Sequence, residues 1–242
     1  MNKKVVALIS AAALSLAASE NLKQNLDAGF TNTTGNSDTT NFNAKYSLLY
    51  KTSGYLNEPL NVKFSLSAFY AEDNGEKSNE EYTSSLDLDQ YVYDGWMGYF
   101  SFDWLRNPDF KNYDGKYEFG IGAGKEVYKD DNSNLILKLG LGYNILDYAD
   151  NTPTDRFASL IEEAEYNNRL NQHSLLYVKL KANEGFDDFT ENYELSGSVG
   201  LKFDISEKVH VVLEEQVVYD NLPPKGYEKT DTKTIIRLGL TF

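Results

Sequence analysis

The stretch LILKLGLGYNI, residues 135–145, decides the fold class. Leu135, Leu137, Leu139, Leu141, Tyr143 and Ile145 alternate with Lys138, Gly140, Gly142 and Asn144. A period of two places one set on each face of a β-strand. The pattern recurs on both sides. Leu60, Val62, Phe64, Leu66, Ala68 and Tyr70 alternate with Asn61, Lys63, Ser65 and Ser67. Tyr193, Leu195, Gly197, Val199, Leu201 and Phe203 alternate with Glu194, Ser196, Ser198 and Lys202. Each run is ten residues or longer. Ordinary strands have about five or six residues, whereas a tilted bilayer-crossing strand needs about nine to eleven. Long, alternating, repeated strands predict an all-β fold: a transmembrane antiparallel up-and-down β-barrel.

Strands are expected near 24–33, 39–52, 59–71, 81–92, 95–106, 115–127, 134–148, 156–167, 172–183, 191–205, 209–220 and 230–242. The eighth carries the weakest signal, because neither face of FASLIEEAEYNN is cleanly apolar. Parity supplies it. Bacterial single-chain barrels have an even strand number, short periplasmic turns and longer outer loops. Counting back from Phe242, YDG, KDDNSN, NRLNQ and ISEK become periplasmic turns. AEDNGEKSNEE, RNPDFKNYDG and NLPPKGYEK become outer loops. Twelve strands keep this order.

Composition agrees with that reading. Eighteen Tyr and thirteen Phe against five Pro favour strands. The mean hydropathy of −0.51 suits a barrel in which every second strand residue faces lipid. Lys3 and Lys4, the apolar run Val5 to Ala18 and the small residues Ala17-Ala18-Ser19 form a secretory signal, residues 1–19, with cleavage expected after Ser19. The barrel then occupies residues 20–242, and loss of Lys3 and Lys4 takes the net charge from −14 to −16. No basic stripe exists to neutralise phosphates, so nucleic acid is not an expected partner. With no cysteine, disulfides, thiolate chemistry and cysteine metal sites are excluded. No metal or cofactor is expected.

If the apolar face meets lipid, the other face fills the lumen. It carries Lys45, Lys63, Lys116, Lys138, Lys179, Lys181, Lys202 and Arg237, with Asp87, Asp89, Asp103, Glu118, Glu194 and Asp204. Asp27 and Glu214 join them. A soluble core could not bury so many charges, while a watery or salt-bridged lumen can. Near-equal numbers of both signs, with long side chains and the aromatics Phe69, Tyr91, Tyr99 and Tyr177, predict a partly occluded lumen. Clustered carboxylates in the loops read as solubilising charge, or as divalent-cation contacts to lipopolysaccharide. Trp96 and Trp104 share one face, roughly 20 Å apart along the membrane normal, as two aromatic girdles would be.

Catalysis is not expected. A Ser–His arrangement needs a base, and only His173 and His210 exist. His173 and Ser174 are adjacent, so on a strand they point to opposite faces. Both histidines fall near predicted periplasmic turns, and a hydrogen-bonding role is expected. Asp87 and Asp89 share a face, but lumen aspartates are expected to pair with lysine. GIGAGK lacks the spacing and final hydroxyl of a phosphate loop. Gly120, Gly122 and Gly124, with Gly140 and Gly142 on the next strand, imply either a wider lumen or tighter curvature.

Two terminal hairpins resemble a known family. GFTNTTGNSDTTNFNAKYSL, Gly29 to Leu48, and VYDNLPPKGYEKTDTKTIIRLGLTF, Val218 to Phe242, are similar to the first and last hairpins of the YdiY-like proteins. YEFGIGAGKEVYKDDNSNLILKLGLGY resembles that family's paired glycine-rich strands. This domain-of-unknown-function family is described as salt-induced outer-membrane proteins. The resemblance implies a barrel in the cell outer membrane and no reaction. Ile236, Leu238, Leu240 and Phe242 also resemble the signal read by the barrel-assembly machinery, with Arg237 where many such signals have glycine. Lipid, lipopolysaccharide and that machinery are the expected partners. Two functions are compatible: a narrow channel for ions or small solutes, or a structural, envelope-stress barrel. The solute and the oligomeric state stay open.

Overall fold

The computed structural model describes residues 21–33 and 39–242. The expected signal segment, 1–19, lies outside the described residues. Twelve strands run in chain order: β1 (Leu22–Thr33), β2 (Thr39–Ser53), β3 (Pro59–Asp73), β4 (Glu76–Tyr93), β5 (Trp96–Asn107), β6 (Tyr113–Lys129), β7 (Ser133–Tyr148), β8 (Asp155–Asn171), β9 (Ser174–Gly185), β10 (Tyr193–Asp204), β11 (Val209–Asp220) and β12 (Thr230–Thr241). Each pairs antiparallel with its chain neighbours, and β12 pairs with β1 to close the barrel. The closing ladder is short, running from Asn25↔Thr241 to Ala28↔Leu238. The β2–β3 ladder, by contrast, runs unbroken from Thr39↔Asp73 to Ser53↔Pro59.

Burial is inverted relative to a soluble protein. Lys138 is 4 % exposed, and its chain neighbour Leu139 is 56 % exposed. Leu137, Leu141, Tyr143, Ile236, Leu238 and Leu240 likewise lie open on the outside. Asp89, Glu118, Glu214 and Arg237 are buried inside. A soluble monomer rarely exposes apolar patches beyond a few hundred Å², whereas a lipid-facing band requires one.

The two ends differ. The terminal end holds the start of β1, the end of β12 and the connections 54–58, 94–95, 130–132, 172–173 and 205–208. The loop end holds 74–75, 108–112, 149–154, 186–192 and 221–229. One expectation changes here. AEDNGEKSNEE is not a long loop. β3 and β4 continue through it to a two-residue turn, closing at Asp73↔Glu76. Asn74 (φ 51°) and Gly75 (φ 78°) both adopt positive φ, as a type I′ hairpin turn needs. Asn-Gly supplies this cheaply, so the strands extend past the membrane band.

The glycine rows neither widen the lumen nor stand empty. Gly122 and Gly140 are partners across β6 and β7, and the Tyr99 side chain lies over them. A Cβ on Gly140 would overlap the Tyr99 hydroxyl oxygen. Gly120 and Gly142 seat Ile161 in the same way, with its Cδ1 3.1 and 2.8 Å from where a Cβ on each would stand. Missing side chains on β6 and β7 are thus replaced by side chains from β5 and β8.

Candidate functional site

The ladders set which charges meet in the lumen. In an antiparallel pair, partner residues share a face. Lys63 partners Asp87, Asp103 partners Glu118, and Glu163 partners both Lys138 and Lys181. Lys179 partners Glu165, while Lys45 partners Asp27 and Ser67. Lys116 continues the row of Glu118, Glu194 partners Asn183, and Lys202 continues that of Gly200, the partner of Glu214. Asp204 partners His210, and Arg237 lies on the row of Gly239, partner of Asp27. The opposite face carries Ile236, Leu238 and Leu240 together with Trp96 and Trp104. Trp96 is exposed near the terminal end, with the Lys125 ammonium 4.9 Å from its ring centroid. Trp104 is half-buried toward the loop end.

Three ion-pair assemblies fill the lower and middle lumen. In the first, Lys63 contacts Asp89 (3.0 Å) and, across the lumen, Glu165 (3.2 Å). Lys138 contacts the same Asp89 at 2.8 Å and sits 5.1 Å from the Tyr99 ring centroid. In the second, Lys181 bridges Asp103 (2.8 Å) and Glu118 (2.5 Å), and the Asn183 amide donates to Glu118. In the third, Arg237 donates to Glu214 at 2.8 Å, beside the Tyr177 hydroxyl, which also donates to it. Near the terminal mouth Lys202 contacts Asp204 at 3.3 Å. At the loop-end rim Lys116 contacts Glu194 (2.5 Å), Lys111 contacts Asp231 (3.1 Å) and Lys233 contacts Glu81.

A cavity of about 810 Å³, open toward the loop end, is lined in part by the second and third assemblies. Ser65, Ser67, Thr83 and Ser85 form a wall of small hydroxyls, bonded in pairs at 2.8 Å (Ser65–Ser85) and 2.6 Å (Ser67–Thr83). A smaller cavity of about 130 Å³ lies toward the terminal end, between Asn25, Ser47, Lys202 and His210. Lys45, Tyr177, Glu214 and Arg237 line both, and so form the neck between them.

Parity alone makes Asp87 and Asp89 equivalent; the structure separates them. Asp87 lines the large cavity. Asp89 is 1 % exposed and locked between Lys63 and Lys138. His210 is buried, with Nε2 2.7 Å from Asp27 Oδ1 and Nδ1 3.2 Å from the Thr241 hydroxyl. That hydroxyl donates to Asn25 at 2.8 Å, so its proton is already engaged. The imidazole reaches from β11 to β1 across Gly239 of β12, where a Cβ would overlap both partners. His173 is exposed in the turn after β8.

Several lumen residues escape a reading of the sequence alone. Glu163 and Glu165 belong to the ambiguous eighth strand, and their signal is alternation opposite Lys138. Lys111 lies where loop is expected, Glu81 sits on the border between an expected loop and the fourth strand, and Lys233, though inside the expected twelfth strand, gives no sign of its partner. Lys23, Lys51 and Arg169 point inward at the terminal mouth by register with Leu49, Asn61 and Leu175. Asp188 accepts from the Thr190 hydroxyl at 2.8 Å and from the amides of Thr190 and Glu191, which hold it below the usual carboxylate range.

Residues 26–242 match the model of a family described as "Protein of unknown function, DUF481". No curated protein matches the chain. Among solved structures, the barrel is similar to the NanC porin, with 8 % identity, a TM-score of 0.53 and coverage of 91 % of this chain and 98 % of that one. It is also similar to an outer-membrane channel from Pseudomonas putida F1, with 10 % identity, a TM-score of 0.51 and coverage of 93 % and 95 %. At such identity the likeness is one of fold.

Proposed function

The chain therefore belongs to the DUF481 family, and on that footing we propose that it is an outer-membrane barrel acting as a narrow, partly occluded channel for ions or small solutes. The two lumen cavities with a shared neck carry this reading. The neck is built of flexible Lys, Arg, Glu and Tyr side chains, which can swing aside. By the rule of short periplasmic turns, the terminal end faces the periplasm and the loop end faces out. The outward apolar rows then meet lipid and lipopolysaccharide. The assembly machinery reads Ile236, Leu238, Leu240 and Phe242.

Planar-bilayer recording of the refolded barrel tests this. The expected result is a small single-channel conductance, weakly cation-selective, with selectivity falling as salt screens the loop carboxylates. Asp87→Asn is expected to move selectivity toward anions. A large porin-like conductance would overturn the occluded reading. A second reading, a structural or envelope-stress barrel without transport, is favoured by the Lys63–Asp89–Lys138 assembly, which blocks part of the section. An intact, heat-modifiable barrel passing no current would establish it instead.

A further inference from the structure

The lumen charges that find no ion-pair partner are sorted along the barrel axis. Toward the loop end, Asp87 and Asp220 line the large cavity and make no ion pair within 4.0 Å among the described residues. At the neck, Lys45 makes none either. Beside it Arg237 is 5 % exposed and is neutralised by Glu214 at 2.8 Å, so Lys45 is the neck's unpaired charge. At the terminal mouth, Lys23, Lys51 and Arg169 point inward, also without an ion pair among the described residues. Surplus negative charge therefore sits at one end of the path and surplus positive charge at the other.

We propose that the pore passes net-neutral, zwitterionic small molecules in preference to ions of either sign. The proposal rests on the channel reading above and specifies its solute class. A fixed charge in a low-dielectric wall enriches counter-ions and repels co-ions. A small cation gathers at the loop-end mouth, then meets Lys45 and the basic terminal mouth. An anion entering from the terminal end meets the opposite sequence. Each ion crosses one region of its own sign. A zwitterion has no net charge to be repelled. It can turn its cationic group toward Asp87 and its carboxylate toward Lys45. The hydroxyl wall of Ser65, Ser67, Thr83 and Ser85 leaves room and offers hydrogen bonds as it passes.

Three near-isosteric probes separate charge from size: glycine betaine (zwitterion), choline (cation) and 3,3-dimethylbutyrate (anion). Entry of each labelled probe into proteoliposomes at low ionic strength is measured and corrected for protein-free liposomes. Betaine is expected to enter about fivefold faster than either ion, from one like-charged region in the path of each. In Lys51→Glu/Arg169→Glu, both at an exposed mouth, choline entry should rise toward that of betaine while dimethylbutyrate entry falls. Similar entry of all three probes overturns the zwitterion preference and leaves the channel intact. So does a double variant that leaves the ranking unchanged. Entry of none into vesicles holding heat-modifiable barrel overturns the channel reading, and this inference with it.

Discussion

β7 and β8 lie side by side and present very different outer faces. β7 shows lipid an unbroken row, Leu135, Leu137, Leu139, Leu141, Tyr143 and Ile145. β8 shows Arg156, Ala158, Leu160, Glu162, Ala164 and Tyr166. Their ladder nevertheless runs without a break from Ser133↔Asn168 to Leu146↔Asp155. Leu139 and Glu162 are direct partners on that outer face. A strand in a closed sheet is held on both edges, so its own outward row can be poor. The inward row explains what β8 contributes instead. Glu165 reaches Lys63 at 3.2 Å, and Glu163 lies 3.8 Å from Lys138. β7 faces lipid well, while β8 supplies acids that meet Lys63, Lys138 and Lys179 in the lumen.

Removing the shared inner contact should have the largest effect. Lys138→Met leaves buried Asp89 with Lys63 alone, and breaking a buried pair from one side costs about 3–5 kcal/mol. Urea unfolding of the barrel in vesicles should show that loss. A loss under about 1 kcal/mol would mean that water reaches Asp89 freely. Next comes the lipid face of β7. Leu139→Arg places a cation near mid-strand, at a cost of about 2–4 kcal/mol if that position lies at the bilayer midplane. The same unfolding assay reads it, and a neutral result would move Leu139 out of the hydrocarbon. The smallest change should have the opposite sign. Glu162→Leu removes a lipid-facing carboxylate and should stabilise by about 1 kcal/mol. Destabilisation there would mean that Glu162 has a partner outside the barrel.

The contrast between the two strands also marks what a sequence reader can see. Alternation in Leu135–Ile145 fixes a strand, its faces and its length, because the period is local. β8 needs the even-number argument, since Glu162, Glu163 and Glu165 disguise both faces. Which charges lie in the lumen follows from parity, but which ones touch does not. Lys63 meets Glu165 across the lumen, a contact set by closure of the whole ring. Asp87 and Asp89 differ only in depth relative to Lys138 and the cavity. The Asn74-Gly75 turn is legible as a hairpin signal, yet the surrounding acids make it look like loop. Tyr99 over Gly122 and Gly140 is not legible, because its rotamer depends on two neighbouring strands.

The ladder between β1 and β12 has a consequence for how such a barrel breaks. A tubular sheet under lateral load tears where the fewest bonds per unit length must part. Most seams here are long, and one holds only from Gln24 and Phe242 to Ala28↔Leu238. The His210–Asp27 contact over Gly239 acts as a rivet at that same joint. A force peeling Phe242 away from Gln24 would load those few bonds in sequence instead of together. The yield strength of the ring is then set by its shortest seam, whatever the average of the other eleven.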